Sequence, residues 1–144
     1  MRGLPLPAAW DRAALEAVGF AGFVPFAQLR TSNVPTDPGI YIVLRTSTTA
    51  PELLEQTRAR SGSPYSVADL QRRWVPETPV LYIGKAAPAK GGLRKRLAQY
   101  ARKGSGHAGG RSIWQLADQD DLRVAWAITP GESPYDVEVA YRAA

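Results

Sequence analysis

Two short apolar runs, each bordered by a glycine and each carrying one tyrosine, restrict what this chain can fold into more than any other feature. Pro38-Gly39 launches Ile40-Tyr41-Ile42-Val43-Leu44, and Pro79 launches Val80-Leu81-Tyr82-Ile83-Gly84. Unbroken stretches of β-branched and aromatic residues bounded by turn formers predict buried strands. Leu122 to Ile128, which begins by alternating apolar and polar residues, predicts a third strand. Residues 45 to 78 between the first two strands are polar, with short helices expected at 51 to 60 and 66 to 74, and have the character of an insertion.

Helical spacing accounts for most of the remainder. Leu93, Leu97 and Tyr100 fall close to i, i+4, i+7 and predict a basic helix from Leu93 to Arg102 with one apolar side. Ser133-Pro134 predicts an N-cap with proline at the first helical position, opening a last helix through 143. A short amphipathic helix is expected at 8 to 18, and one or two helical turns from Arg111 to Ala117. The aromatic, glycine-spaced stretch Phe20 to Phe26 is expected to be an extended piece covering the sheet. The resulting order of strand, insertion, strand, helix, strand, helix predicts an α+β domain, a three-stranded antiparallel sheet flanked by helices. One domain suits a chain of 144 residues.

Composition removes several chemistries. With no cysteine, the chain has no disulfide, thiol nucleophile or thiolate metal site, and one histidine cannot build a histidine cage. No apolar run approaches the roughly 20 residues of a bilayer span. Met1 to Trp10 lacks the charged and apolar regions of a signal peptide, so the cytoplasm is the expected location. The net charge of +5 is concentrated: Lys85, Lys90, Arg94, Lys95, Arg96, Arg102, Lys103 and Arg111 lie in a stretch with no acid between Glu77 and Asp118. Such a run suits either a solvated helix face or attraction to a polyanion such as a nucleic acid.

Taken together, Gly39-Ile40-Tyr41, Leu81-Tyr82-Ile83-Gly84-Lys85-Ala86, the basic Leu93-Arg94-Lys95-Arg96-Leu97-Ala98-Gln99-Tyr100 and a glutamate on the last helix resemble the GIY-YIG nuclease superfamily. Its members include the cutting domain of the bacterial excision-repair nuclease, homing endonucleases and structure-selective resolvases. The resemblance covers roughly residues 38 to 144, leaving 1 to 37 as an N-terminal extension packed on that domain and 45 to 78 as an insertion. It implies an endonuclease that hydrolyses DNA phosphodiester bonds with Mg2+ or Mn2+; a catalytically inactive nucleic-acid-binding module on the same fold is the alternative.

The chemistry of phosphodiester hydrolysis fits those residue types. It needs a deprotonated water, charge stabilisation on the phosphoryl oxygens and help for the leaving oxygen. Tyr41 and Tyr82 on adjacent strands can present two phenols to one phosphate. With a reference pKa of about 10, a tyrosine needs a nearby cation to act as a base, and Arg96 and Lys85 are candidates. By resemblance Tyr41 is the favoured proton acceptor and Tyr82 the positioning group, with the reverse assignment open. Arg96 matches the family's helix arginine, whose planar fork suits phosphate oxygens.

Glu138 is the expected metal ligand, with Glu132 and Asp136 as competitors; one helix carboxylate suits a magnesium ion that keeps most of its waters. Lys85, Lys90, Arg94, Lys95, Arg102, Lys103 and Arg111 are expected to contact nucleic-acid backbone. His107, in a glycine-rich link, could act as a proton shuttle, and Trp114 is expected in the core rather than stacked on a base. Many members carry a histidine one turn after the arginine. Tyr100 stands there, as in the excision-repair relatives. The asparagine that the family places beyond its last helix has no counterpart before Ala144, so the chain is either a fragment or manages without it. Nothing resembles a base-reading module, so target specificity is expected from the insertion, the N-terminal segment, an additional C-terminal part or domain, or a partner, and a homodimer is one way for a single active site to cut two strands.

Overall fold

A computed structural model describes residues 4–46, 52–55, 66–73, 79–86, 91–101, 116–117, 119–130 and 133–144. The described elements run α1 (Arg12–Ala17), β1 (Ala21–Val24), a 3-10 helix (Phe26–Thr31), β2 (Gly39–Leu44), α2 (Val67–Arg73), β3 (Val80–Ala86), α3 (Gly92–Ala101), a 3-10 turn (Gln119–Asp121), β4 (Arg123–Ile128) and α4 (Pro134–Ala143). The α+β class is as expected, but the sheet has four antiparallel strands in the order β1-β4-β2-β3. The extra strand comes from the Phe20 to Phe26 stretch, which does more than cover the sheet. It pairs with β4 through a bulge at Gly22-Phe23, where both residues take positive φ (96° and 57°). The bulge bends the strand and turns Phe23 inward, where it is buried beside Phe20.

β2 is central, and each of its six residues is buried. Alternation divides them between two apolar layers. Tyr41 and Val43 join Leu93, Leu97, Tyr100, Leu116, Val124 and Trp126 on one face. Ile40, Ile42 and Leu44 join Leu15, Phe20, Phe23, Val137 and Tyr141 on the other. An unbroken apolar run is what a strand covered on both faces requires. α3 and the Phe26–Thr31 helix cover the first face, and α1 and α4 the second. β3 is an edge strand and only partly buried.

The helices form much as their spacing dictates. Leu93, Leu97 and Tyr100 of α3 are all fully buried. The first turn of α3 is capped by the loop before β2, with Leu93 N–H donating to Asp37 O and Arg94 N–H to Pro35 O. α1 is shorter than expected because Asp11 caps it, its carboxylate accepting from Ala14 N–H at 2.9 Å, so residues 8 to 10 stay outside. Ser133 precedes α4, but its hydroxyl makes no capping bond; the helix start rests on Pro134. The helix expected at 51 to 60 is not seen in its described part, where Leu53 forms an isolated antiparallel bridge with Leu116. That bridge also replaces the end of the helical turns expected at 111 to 117. Residues 56 to 60, and 111 to 115 with Trp114, lie outside the described residues. Among the described residues no helix is long and apolar enough to cross a membrane.

Candidate active site at the β3 rim

Pairing register places the two motif tyrosines on one face. Tyr41 lies opposite Gly84, and Tyr82 opposite Val43, so both rings project toward α3. Tyr100 reaches down from α3 between them. The three ring centroids form a near-equilateral triangle, with Tyr41–Tyr82 at 6.2 Å, Tyr41–Tyr100 at 5.9 Å and Tyr82–Tyr100 at 6.0 Å. Gly84 has a direct part in this cluster: a Cβ there would collide with the Tyr41 phenol, so the glycine lets that ring lie flat across β3. Gly39 is excluded from carrying a side chain by the Ala127 carbonyl of β4 and by Leu93 of α3. Both motif glycines are thus spacing devices that set how closely the site's elements approach.

Arg96 comes to this cluster from α3 and hydrogen-bonds the Tyr41 hydroxyl. Even so, burial pushes the Tyr41 phenol well above the usual tyrosine range, reinforced by Tyr82 and only partly offset by the Arg96 charge and hydrogen bond. Tyr41 has no exposed surface, whereas Tyr82 is partly exposed. The sequence expectation that Tyr41 accepts the water's proton therefore meets an obstacle: its hydroxyl is sealed and its neutral form is favoured. Tyr100 is likewise fully buried and likewise raised by burial.

Glu138 approaches from the opposite layer. Its helix, α4, packs on the face of Ile40 and Ile42, and Glu138 is only 8% exposed at the rim of β3. An edge strand is the one place where side chains from the two layers can meet around the sheet. Glu138 is near enough to Tyr41 to contribute, as the smallest of several influences, to raising that phenol. Two cations flank the carboxylate: Lys85 Nζ at 3.5 Å and Arg142 Nη2 at 3.6 Å. Lys85 pairs with Ile40 across the strands, so it points away from the tyrosine face. It is Arg96 that meets the phenol, and the candidacy of Lys85 for that place is corrected by the alternation of the strand.

Arg142 was not foreseen. It lies one turn after Glu138 on α4 and wraps the rim. Its Nε and Nη2 donate to the Ile83 carbonyl of β3 at 3.1 and 2.5 Å, and its guanidinium sits 5.3 Å from the Tyr82 ring centroid. The only hint in the sequence is the i, i+4 spacing from Glu138, which predicts an ordinary surface pair.

The other basic residues divide. Arg94 donates from Nε to Val34 O at 2.8 Å and so ties α3 to the loop before β2, a structural role in place of the expected backbone-phosphate contact. Lys95 is exposed on α3. Lys90, Arg102, Lys103, His107 and Arg111 lie outside the described residues, as does Glu132. Asp136 is exposed in the first turn of α4. Among the described residues no group of three or more His, Asp or Glu could hold a metal. Glu138 alone therefore fits a hydrated magnesium-type ion only as a single-carboxylate anchor, with waters and substrate oxygens as the remaining ligands. No family model, curated protein or solved structure matches this chain.

Proposed function

We propose that this chain is a metal-dependent endonuclease that hydrolyses DNA phosphodiester bonds at the rim of β3. One observation carries the reading: a phenol, a guanidinium and a nearly buried carboxylate, drawn from β3, α3 and α4, converge on the Tyr41 phenol of β2, each near enough to act on it. A phenol that merely filled a sheet face would be satisfied by any polar partner; here that partner is an arginine, and a carboxylate lies within electrostatic reach of it.

Within this reading each side chain has a task. Arg96 supplies N–H donors to the phosphoryl oxygens as charge builds on them, a role that suits its planar fork. Tyr82, the tyrosine that solvent can reach, relays the proton of the attacking water: its oxygen accepts that proton as its own hydroxyl proton passes to solvent. Tyr41, sealed and hydrogen-bonded, fixes the orientation of Arg96. Glu138 would hold the magnesium or manganese ion, which when bound polarises the phosphoryl oxygens. Lys95, exposed on the same helix as Arg96, suits a backbone phosphate.

The alternative, a nucleic-acid-binding module without activity, draws support from the sealed Tyr41 ring. Plasmid nicking with Mg2+ separates the two, comparing wild type with Glu138→Ala, Tyr82→Phe and Tyr41→Phe. The nuclease reading expects nicking by wild type and a loss of it in Glu138→Ala and Tyr82→Phe. If all four proteins are equally inert while DNA binding persists, the binding module stands in its place.

A further inference from the structure

We propose that Arg142 is a positioning residue of the same site, a brace that sets Tyr82 and Glu138 relative to each other. The inference rests on the nuclease reading but concerns a residue the motifs do not include. One guanidinium makes three kinds of contact. It donates twice to the main chain of β3 at Ile83, pairs with Glu138 at 3.6 Å, and lies 5.3 Å from the centre of the Tyr82 ring.

Ile83 directly follows Tyr82, so the backbone bonds anchor the guanidinium to the strand that carries the phenol, while the ion pair anchors it to the helix that carries the carboxylate. Two groups from different layers of the fold thereby share one rigid reference. Lysine cannot substitute, because a single ammonium has no planar fork to hold a carbonyl and a carboxylate while lying over a ring. The same contact makes Arg142 a competitor for the carboxylate. A cation that binds Glu138 must displace or share its ion pairs; at 3.6 Å and with the arginine side chain half exposed, the Arg142 pair is long and screened enough to be displaced.

Opposite changes in metal binding and turnover are therefore expected. Arg142→Gln keeps one donor for Ile83 O but loses both the charge and the fork. In Mn2+ titrations followed by electron paramagnetic resonance without DNA, it should bind metal about 2–5-fold more tightly than wild type. Its nicking kcat at saturating metal should fall about 10–100-fold, with KM for DNA and Tm little changed. Arg142→Lys should return Mn2+ affinity toward wild type and leave kcat low. A residue that merely closes the sheet edge would lower Tm and leave metal affinity alone.

Wild-type kcat in Arg142→Gln, or Mn2+ affinity unchanged or weakened in it, overturns the brace. So does full rescue of kcat by lysine. A wild type that binds DNA and Mn2+, with Mn2+ binding lost in Glu138→Gln, yet never cuts would instead overturn the nuclease reading. The Mn2+ comparison would still decide whether Arg142 competes for Glu138.

Discussion

Gly84→Ala tests how tightly the tyrosine cluster is built. The added methyl would collide with the Tyr41 phenol, and that ring has nowhere to retreat. Tyr82 and Tyr100 stand 6.2 and 5.9 Å away centre to centre, and Arg96 bonds its hydroxyl. Overpacking of this kind costs typically about 1–3 kcal/mol, and the crowding here points to the upper half of that range. Backbone strain adds nothing, because Gly84 is not among the positive-φ glycines. The expected loss is therefore steric and specific to one partner.

A double-mutant cycle isolates it. Tyr41→Ala alone should cost about 3–5 kcal/mol as a truncated buried aromatic. In that background the alanine at 84 meets space instead of a phenol, and its stiffer unfolded chain should make it neutral or stabilising by up to about 1 kcal/mol. Urea denaturation at a common m-value gives all four corners, and the double variant should be more stable than additivity predicts by about 2–4 kcal/mol. Additive losses, or a Gly84→Ala protein within about 0.5 kcal/mol of wild type, would refute the claim that Gly84 exists to seat the Tyr41 ring.

Other consequences follow from the same contacts. Arg96→Ala should lower the nicking rate about 10²–10³-fold, as loss of a transition-state donor does, while weakening DNA binding far less; equal losses in filter-binding and rate assays would make it a simple phosphate anchor. Stability should fall at alkaline pH. Tyr41 and Tyr100 are held neutral in the fold by burial, so the unfolded chain releases their protons first, from about pH 10 upward. Their contribution is complete below pH 10 and erodes toward about 1.4 kcal/mol per pH unit for each ring, until the raised folded pKa is reached. In Tyr100→Phe the alkaline slope in pH-dependent denaturation should shrink by one ring's share; an unchanged slope would contradict burial as the cause. Arg94→Ala should destabilise by about 1–3 kcal/mol through the orphaned Val34 carbonyl and leave the salt dependence of DNA binding unchanged, whereas Lys95→Ala should reduce that salt slope by about 1.

Local pattern determined much of this protein. β-Branched runs marked β2 and β3, the alternation at Leu122 to Ile128 marked β4, and the spacing of Leu93, Leu97 and Tyr100 marked the buried side of α3. These signals are legible because each depends on a period along one segment. The Tyr41, Tyr82 and Arg96 grouping was also foreseeable, since two strands in register and the helix that follows them have few ways to pack.

What required the tertiary structure was whatever depended on a second layer or an edge. The Phe20 to Phe26 stretch became β1 because β4 had an unpaired edge to offer, a fact no pattern within the stretch contains. Tyr41 was sealed, and Tyr82 left partly exposed, because α3 and the Phe26–Thr31 helix close over the Tyr41 end of that face. Lys85 turned to Glu138, and Arg142 reached Tyr82, because α4 lies beside the rim of β3. Periodicity says which way a side chain leaves its own backbone; only the packing of distant segments decides what it meets there.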